Sequence, residues 1–598
     1  MTRTGLQDFY KKRESLFTVS LKVINKKINV ISNIRLAVAL LFLALLYFGF
    51  SNYSLLYTLP FLFLGFIFLV RNHAALFEQK VHLKNLTKIQ LDELQALNGD
   101  FSHFSSGSDF INPHHPYTHD LDIFGEGSLF QYLNRISTRG GKKLLGERLS
   151  SNPETIEEII NHQDAIKELA IKNDFRHKIQ ALGMQIDEQP DDQRQLQQWL
   201  DQSSFIYGKS FYKIILNLFP ILTLSLVITA FFVNGITSFA VLAAGLQWAF
   251  LGFHLKRVNA FHQYISRKKN TLEKYARILF YIKKEKFSSE LMISLGGQAQ
   301  EADQKVRQLA SLVNAFDARM NFMTNLVVNS LLLYDLQCVF RLEKWKAENA
   351  SHLLGWLDTI RETEVLCSLG TFSFNHFEFS FPTINNKQQL SAKAMGHPLL
   401  AEDERIVNDI HLDKEQSIMI ITGANMAGKS TFLRSLGVNV ALALCGAPVC
   451  AKEFHCPLIE MRSGMRTADS LKDHQSYFYA ELNRLKSIMD ELRAGKSLLI
   501  LLDEILKGTN STDKQTGSVA LVKQLVDHSC LILIATHDLA LGDLEKVYPG
   551  RIFNYCFEAN IENDQLSFDY KLKRGLATKM NATFLMRKMG IIPPNCLN

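Results

Sequence analysis

Two long stretches of the chain contain no Asp, Glu, Lys or Arg: residues 36–70, over 35 residues, and residues 214–255, over 42 residues. Each stretch is long enough for two apolar helices of about 17–20 residues with a tight turn between them, which is the length that crosses a lipid bilayer. Polar turn residues stand within each stretch, at 51–54 and at 234–235. The pattern predicts two membrane hairpins with four spans in all; a pair of deeply buried helical hairpins is the alternative.

The rest of the chain divides by the period of its apolar positions. Apolar residues recur at helical spacing within 138–169 and again from about 258 to 369, which predicts helices. Residues 370–382 alternate aromatic and polar side chains, which predicts a strand. From there to about 575, strands alternate with helices, the pattern of an α/β nucleotide-binding domain. The predicted organisation is a basic cytoplasmic segment (1–35), a first hairpin (36–70), a first helical core and lever part (71–213), a second hairpin (214–255), a second core and lever part (256–370) and an α/β P-loop domain (371–598).

Basic residues cluster beside the two apolar stretches. Residues 1–35 contain eight Lys and Arg against two acids, and residues 256–286 contain ten against two. Positive charge beside membrane spans marks the cytoplasmic side, so the N-terminus, the middle segment and the C-terminal half are predicted to face the cytoplasm from a multi-pass inner-membrane protein. The net charge of +7 fits attraction to anionic lipid as well as to nucleic acid. The eight Cys form no C-x-x-C pair, which indicates reduced thiols.

Residues 423–431 read Gly-Ala-Asn-Met-Ala-Gly-Lys-Ser-Thr and fit the phosphate-binding loop G-x-x-x-x-G-K-[ST]. A predicted strand precedes the loop and a predicted helix follows it, which is the context that such a loop needs. Glycines let backbone N–H groups turn toward an anion, and the helix N-terminus faces the same place. Lys429 is predicted to reach the outer phosphates of ATP, and the Ser430 hydroxyl to bind Mg²⁺. The predicted ATP-binding residues here are Gly423, Ala424, Asn425, Met426, Ala427, Gly428, Lys429, Ser430 and Thr431.

A second part of the site follows a run of five apolar residues, 498–502, which predicts a buried parallel strand. Asp503, directly after it, is predicted to bind Mg²⁺, and Glu504 to orient and polarise the attacking water. The next predicted strand is followed by His537, which can sense the γ-phosphate. Ser476 opens a predicted helix and is either its N-cap or a residue that meets the γ-phosphate of a partner subunit.

The C-terminal part of the chain resembles the MutS family of ATPases. The matching stretches are the phosphate loop, Ser-Tyr-Phe-Tyr-Ala-Glu at 476–481, Asp-Glu-Ile-Leu-Lys-Gly-Thr-Asn-Ser at 503–511 and Ala-Thr-His at 535–537. Asn-Met inside the phosphate loop is a strong discriminator, and Gly-His-Pro-Leu at 396–399 looks like the family's lead-in to its ATPase. The resemblance covers about 120–205 and 258–590.

The resemblance implies a Mg²⁺-dependent ATPase that works as a homodimer with composite ATP sites. Lys429 and Ser430 would contact phosphates and Mg²⁺, Asp503 and Glu504 would serve metal and water, and His537 would be the switch residue. Ser476 would act across the dimer, with the turn at 508–510 at the same interface. In this family ATP binding closes the dimer and moves long helices that bind DNA, so DNA is an implied ligand.

Three departures separate the chain from mismatch-repair members of that family. The family's mismatch reader uses a Phe-x-Glu pair in an N-terminal domain, whereas this N-terminus is basic and then apolar; the match at 124–126 is interpreted as chance. Residues 214–255 stand where a DNA clamp would project from the helical core. The turn after Glu504 reads Ile-Leu-Lys, where the family usually has Gly-Arg in the last two places.

The sequence therefore predicts a membrane-anchored MutS-related ATPase that is involved in DNA binding or repair. An ABC-type transporter component is one alternative, because that class also joins membrane helices to a related ATPase. Its hallmark peptide lies between the two ATPase motifs, however, whereas the similar Ser-Leu-Gly-Gly-Gln at 294–298 precedes both. An ATP-driven membrane scaffold that does not bind DNA is the other alternative.

Overall fold

The computed structural model of the chain describes residues 2–266, 268–466, 477–507, 509–562, 565–577 and 591. Within them the chain is helical as far as Asn375 and then forms two β-sheets with helices packed on them. The predicted order, a helical region followed by a mixed α/β domain, is confirmed.

The helical region begins with a long hairpin and continues as a bundle. Its described helices are α1 (Arg3–Gly49), α2 (Leu59–Leu97), α3 (Leu129–Leu133), α4 (Arg139–Ser150), α5 (Ile156–Ile171), α6 (Asn173–Gly183), α7 (Asp192–Asp201), α8 (Ser210–Thr229), α9 (Thr237–Ile265), α10 (Lys269–Lys284), α11 (Glu290–Asp317), α12 (Phe322–Leu332) and α13 (Tyr334–Asn375). The helices predicted within 138–169 are α4 and α5. Each begins after a threonine, Thr138 or Thr155, whose side chain accepts a hydrogen bond from a backbone N–H in the first turn.

The first apolar stretch lies at the tip of the hairpin formed by α1 and α2. These helices are 47 and 39 residues long, much longer than the apolar stretch itself. The basic segment 1–35 therefore belongs to the same helix as the start of the apolar stretch, and no proline interrupts α1. The chain reverses at 50–58, where the Asn52 side chain accepts a hydrogen bond from the Ser54 backbone N–H. No residue in the most apolar 18-residue stretch of either helix is buried, which contradicts the alternative of a buried hairpin.

The open end of this hairpin is bound to the helical bundle through buried polar side chains. The Tyr10 hydroxyl donates to Asn375 Oδ1 at 2.7 Å, and Asn375 Nδ2 donates to Glu93 Oε2 at 2.8 Å. Arg135 Nε donates to Glu93 Oε1 at 2.9 Å, and both side chains of this ion pair are buried. Because a buried charge without its partner is costly, these contacts fix the hairpin against the end of α13.

The second apolar stretch forms α8 and α9, which reverse at 230–236, where Gly235 has a φ of 94°. In the most apolar 18-residue stretch of each helix, 17% of the residues are buried, so most residues of these stretches are not buried either. Between the two helices, Gln247 Nε2 donates to Thr223 Oγ1 at 2.6 Å, and both side chains are buried. By length and composition, four described helices (α1, α2, α8 and α9) could cross a membrane.

The bundle is organised around α13, which packs against α4, α5, α6 and α11. Trp345 of α13 stacks on Trp199 of α7 with ring centroids 6.3 Å apart. α13 is one helix of 42 residues, about 63 Å long at 1.5 Å per residue. It begins beside the second hairpin and ends at the α/β domain, so one rigid element connects the two.

The strand predicted over 370–382 is wrong, because α13 continues to Asn375. Phe372 contacts the rings of Tyr132 and Phe379 on one side of the helix, while Phe374 contacts Phe9 of α1 on the other. A helix that is buried on both sides has no polar face, so its aromatic residues do not follow the helical period.

The α/β domain contains two sheets. Its described strands are β1 (Thr383–Asn385), β2 (Leu390–Met395), β3 (Asn408–Leu412), β4 (Ile418–Gly423), β5 (Glu453–Pro457), β6 (Glu460–Gly464), β7 (Leu498–Asp503), β8 (Cys530–Thr536), β9 (Ile552–Glu562) and β10 (Gln565–Arg574), and its helices are α14 (Lys429–Leu444), α15 (Tyr477–Arg493), α16 (Ser511–Val526) and α17 (Leu544–Val547). The smaller sheet has the order β1-β5-β2-β3 and the larger one β10-β9-β4-β8-β7-β6.

Five neighbouring strands of the larger sheet are parallel, and only β10 is antiparallel. The strands predicted before the phosphate loop, before Asp503 and before His537 are confirmed as β4, β7 and β8. All six residues of β4 are buried, as expected for a central parallel strand. In the sheet, Thr422 is level with Thr536, and Asp503 is level with Ala535. The ends of these three strands therefore meet at one edge.

Candidate functional site

A cavity of about 660 Å³ opens where β4, β7 and β8 end. The phosphate loop forms one side of it, and the end of β7 with the following turn forms another. The residues from these two segments that line it are Asn425, Met426, Ala427, Gly428, Lys429, Ser430, Thr431, Asp503, Glu504 and Lys507. The structure thus brings most of the residues predicted to bind ATP to one cavity, at the edge of a parallel sheet where ligands commonly bind.

The two glycines of the phosphate loop occupy positions that a side chain would not fit. Gly423 has a φ of 151°, and a Cβ atom there would lie 2.6 Å from the carbonyl oxygen of Phe557. Gly428 has a φ of 103°, and a Cβ there would lie 3.0 Å from the Tyr570 ring. Glycine is therefore required at both ends of the turn, and the loop can bring its backbone close to an anion.

Lys429 is the first residue of α14, and its side chain turns back over the phosphate loop. Its Nζ donates to the carbonyl oxygens of Gly423 at 2.7 Å and Ala424 at 2.9 Å. Gly423 and Ala424 thus lie behind the ammonium group rather than on the cavity wall. An ammonium has three N–H donors, so one donor remains for a phosphate beside these two carbonyl contacts.

Glu504 and His537 are joined directly. His537 Nδ1 lies 2.6 Å from Glu504 Oε1, and the Glu504 backbone N–H donates to the Ala535 carbonyl at 2.8 Å. Since an ionised carboxylate can only accept, Nδ1 is the donor in this contact. Glu504 lines the cavity, whereas His537 is not among the described residues that do. His537 is therefore connected to the cavity through its contact with Glu504.

The charges of the site influence one another. Burial lowers the pKa of Lys429, and the carboxylates of Asp503 and Glu504 oppose that effect. Burial by itself would raise the pKa of Glu504; the hydrogen bond from His537 and the charges of His537, Lys507 and Lys514 outweigh it, so this pKa lies below its ordinary value. Glu504 is therefore ionised at neutral pH, as a proton acceptor must be.

Ser430 and Asp503, the residues predicted to bind Mg²⁺, both line the cavity. A hydroxyl and a carboxylate are oxygen ligands of the kind that Mg²⁺ takes, and this ion keeps several waters and binds substrate phosphates. Within the described residues no group of three or more His, Cys, Asp or Glu is placed to bind a metal. A hydroxyl and a carboxylate at the cavity wall thus fit an ion that is bound together with a nucleotide's phosphates.

Glu481 is a site residue to which the sequence assigned no role. It lies in the first turns of α15, and its Oε1 accepts a hydrogen bond from the Leu506 backbone N–H at 2.6 Å. Both Glu504 (φ 59°) and Leu506 (φ 57°) are left-handed, a conformation that costs most residues about 1 kcal/mol or more. Leu506 stands where the MutS resemblance leads us to expect glycine. The Glu481 contact therefore supports a strained turn that carries Glu504.

Arg484, one turn further along α15, contacts the segment before the helical bundle. Its guanidinium lies 3.0 Å from Asp120 Oδ2, and Asp120 also accepts hydrogen bonds from the backbone N–H groups of Met465 and Arg466. α15 thus connects the Glu504 turn to the helical region. Glu481 and Arg484 lie one helical turn apart on α15, but no sequence motif indicates which residues they contact.

The segment between β2 and β3 forms a third wall of the cavity and includes His397, Leu400, Glu404 and Ile406. Burial, with the charges of Arg434 and Arg405, lowers the pKa of His397 to about 4. His397 is therefore neutral at physiological pH. The Gly-His-Pro-Leu stretch was the one sequence signal for this wall.

The remaining positions that the sequence singled out do not line the cavity or lie outside the described residues. Ser476 and Gly508 lie outside the described residues. Asn510 begins α16, where its Oδ1 accepts a hydrogen bond from the Asp513 backbone N–H at 2.8 Å. Phe124, of the stretch interpreted as a chance match, packs its ring against Phe110 and Phe130 with centroids 5.6 Å apart in each case.

Comparison with known proteins finds that the family model described as MutS domain V matches residues 419–596. Three curated relatives carry the name DNA mismatch repair protein MutS. The one from Thermotoga petrophila is 30% identical over 234 residues, covering 38% of this chain and 29% of that protein. Those from Chlorobium chlorochromatii and a Geobacillus species are each 31% identical, over 246 residues (40% and 28%) and 225 residues (37% and 26%). This chain spans less than a third of the length of these relatives. The C-terminal part of the chain is therefore similar to MutS proteins, over the residues that the MutS domain V model matches.

Proposed function

We propose that this chain is a membrane-anchored, MutS-related ATPase that hydrolyses ATP with Mg²⁺. The observation that carries the proposal is the cavity where Lys429, Ser430, Asp503 and Glu504 meet at the ends of parallel strands. Loop N–H groups and Lys429 would bind the phosphates, and Ser430 and Asp503 would bind Mg²⁺, which neutralises phosphate charge. Glu504, oriented by His537, would accept a proton from the attacking water.

Phosphate release from ATP by the purified, detergent-solubilised protein tests this function. We expect release in the presence of Mg²⁺, its loss when EDTA removes the ion, and its return when Mg²⁺ is restored. Release that continues unchanged in excess EDTA would show that the site does not use a divalent ion.

The contact between Glu481 and the turn after Glu504 predicts a split between turnover and binding. Glu481→Ala removes the acceptor for the Leu506 N–H, and we expect kcat to fall roughly tenfold, because a hydrogen bond to a charged group contributes about 1.5–3 kcal/mol. KM for ATP should stay the same, since Glu481 supports the turn and does not line the cavity. Glu481→Gln keeps an acceptor oxygen and should recover most of the rate. A matching rise in KM, or unchanged kcat in Glu481→Ala, would contradict this role.

The membrane part of the proposal rests on the two exposed hairpins. No residue in the most apolar stretches of α1 and α2 is buried, and only 17% of those in the corresponding stretches of α8 and α9 are, so water would meet much of this apolar surface. A contiguous exposed surface of this size is typical of membrane contact. The basic residues of 1–35 and 256–286 favour an orientation with the α/β domain in the cytoplasm. We expect the chain to stay in the membrane pellet after carbonate extraction; release into the supernatant would contradict the anchoring.

We also propose an ATP-dependent homodimer, on the basis of the similarity to MutS proteins. Sedimentation of the solubilised protein should show a shift from monomer to dimer when ATP and Mg²⁺ are added. Monomers at saturating ATP would count against it.

The relatives are named for DNA mismatch repair, and we propose DNA as a ligand of this chain. The basic stretch 256–286 is not all available for it, because Lys268 contacts Asp192 at 2.5 Å and Lys283 contacts Asp303 at 3.2 Å. Among the described residues of this stretch, the basic side chains that remain exposed are Lys256, Arg257, Lys284 and Lys286. This partial use of the basic charge within the fold favours the DNA-independent ATP-driven scaffold as the second candidate.

Replacement of the four exposed basic residues by Gln separates these two functions. If DNA binds here, affinity for duplex DNA should fall and its dependence on salt concentration should weaken, because fewer counterions are released. Gel-shift assays on duplex, branched and mismatched DNA across a salt series give both values. An equal set of substitutions at Lys414, Lys452, Lys523 and Lys546, which are also exposed, is the control. Wild-type protein that binds none of these DNAs favours the scaffold.

A further inference from the structure

The short helix α12 exposes apolar side chains although it lies outside both predicted hairpins. Met320, Phe322, Met323, Leu326 and Val327, on α12 or directly before it, are all exposed, with Phe322 at 75%. Residues 320–334 include no Asp, Glu, Lys or Arg. The helix packs against α8 and α9, so its apolar surface continues that of the second hairpin.

Two polar side chains of α12, Asn329 and Ser330, face protein instead. Trp248 Nε1 of α9 donates to Ser330 Oγ at 2.9 Å, and the buried Asn329 accepts from the Asp335 backbone N–H at 2.9 Å. Gln247 of α9 accepts a hydrogen bond from the Leu333 backbone N–H at 3.2 Å. Polar groups inside and apolar groups outside is the reverse of a helix that faces water, and it is the arrangement of a helix that faces lipid.

The length of α12 and the charges beside it limit how it can meet a bilayer. Eleven residues span about 16 Å, roughly half of the 30 Å hydrocarbon core, so the helix cannot cross. Arg319 before it and Asp335 after it pair at 2.9 Å, with both side chains buried. The charges at the two ends of α12 thus neutralise each other. They mark the end of the helix bundle where α11 ends and α13 begins.

We propose that α12 is embedded in the lipid acyl chains beside the second hairpin, within the half of the bilayer that faces the α/β domain. This inference rests on the proposed membrane anchoring and goes beyond it, because α12 is too short to count as a span. α13 starts immediately after α12, at Leu333, which has a left-handed φ of 47°. A lipid-embedded segment is thereby joined through one continuous helix to the nucleotide-binding domain.

Quenching of a fluorophore by brominated lipids tests the proposal on the full-length protein. Bimane is attached to single cysteines at Met323→Cys or Val327→Cys, and the protein is reconstituted into phosphatidylcholine–phosphatidylglycerol vesicles with or without dibrominated acyl chains. The seven described native cysteines are buried, and Cys596 is replaced by Ser to remove the remaining thiol. Two matched controls have similar exposure: Leu242 of the second hairpin (61%) and Ile293 near the start of α11 (55%).

We expect the labels at 323 and 327 to lose the same fraction of fluorescence in brominated vesicles as the label at 242, while the label at 293 loses none. Quenching at 242 without quenching at 323 and 327 would overturn the inference and leave the membrane anchoring intact; a second copy of the chain or another protein would then cover α12. Absence of quenching at 242 as well would overturn both the anchoring and the inference.

Discussion

The Glu504→Gln protein is expected to bind ATP as tightly as the wild type and to hydrolyse it about 10²- to 10⁴-fold more slowly, the range that general base catalysis contributes. Glutamine has the shape of glutamate and can keep the contact with His537 Nδ1, which is 2.6 Å long in the wild type. It cannot accept a proton from water. The pKa of Glu504 lies below its ordinary value, because the contact with His537 and the nearby lysines outweigh burial, so the wild-type side chain is ionised and able to do so. Equilibrium binding measures the affinity for ATP, and single-turnover experiments measure the rate of hydrolysis separately.

The exposed Glu415 provides a matched control for this substitution, since it lies on the turn before β4 and does not line the cavity. Glu415→Gln should leave both binding and hydrolysis unchanged. Normal turnover in Glu504→Gln would identify some other group as the base. Loss of ATP binding in Glu504→Gln would mean that the substitution disturbs the turn at 504–507, whose conformation Glu481 supports.

The Lys429→Ala protein is expected to bind ATP roughly 10- to 100-fold more weakly, because a hydrogen bond to a charged group contributes about 1.5–3 kcal/mol and 1.4 kcal/mol is tenfold in Kd. Hydrolysis should fall below detection as well, since the same ammonium would stabilise charge on the outer phosphates. Titration of the purified protein with ATP and Mg²⁺ gives the change in Kd.

Lys429→Ala should not unfold the domain, and this separates loss of binding from loss of structure. Burial lowers the pKa of Lys429, so the folded state already bears a cost for this charge that alanine removes. The substitution also removes the contacts with the Gly423 and Ala424 carbonyls, which offsets part of that gain. Thermal unfolding close to that of the wild type is expected, and Lys523→Ala, at an exposed position of α16, is the control for both measurements. Wild-type affinity in a folded Lys429→Ala protein would contradict the assigned role.

The parts of the site that the sequence predicted are those in which one local pattern determines the structure. The run 418–422 is apolar at nearly every position, so it forms a central strand, and the glycines at 423 and 428 permit the loop that follows it. Asp503 and Glu504 follow a strand of the same kind. Because parallel strands end at one edge, the sequence was sufficient to bring these residues together.

Contacts between distant segments were not predictable from local patterns. Glu481 reaches Leu506 across 25 positions of the chain, and the contact depends on how α15 packs beside β6. His537 and Glu504 come from different strands, and no sequence motif indicates their contact; the predicted role of His537 toward the γ-phosphate stays a prediction.

The helical region shows where periodicity misleads. Residues 370–375 have alternating aromatics because α13 is buried on both sides there, which removes the polar face that marks a surface helix. The basic residues before position 36 differ in charge from the apolar stretch, yet charge does not end a helix, and α1 continues through them. The apolar surface of α12 was not predicted, because a helix of 11 residues is too short to be recognised as a membrane span.

Equilibrium binding of ATP with Mg²⁺ to the purified full-length protein tests the central claim most directly. The account predicts saturable binding of one ATP per chain, weakened in Lys429→Ala and unchanged in Glu504→Gln. A folded wild-type protein that retains no ATP in any detergent or lipid would contradict it.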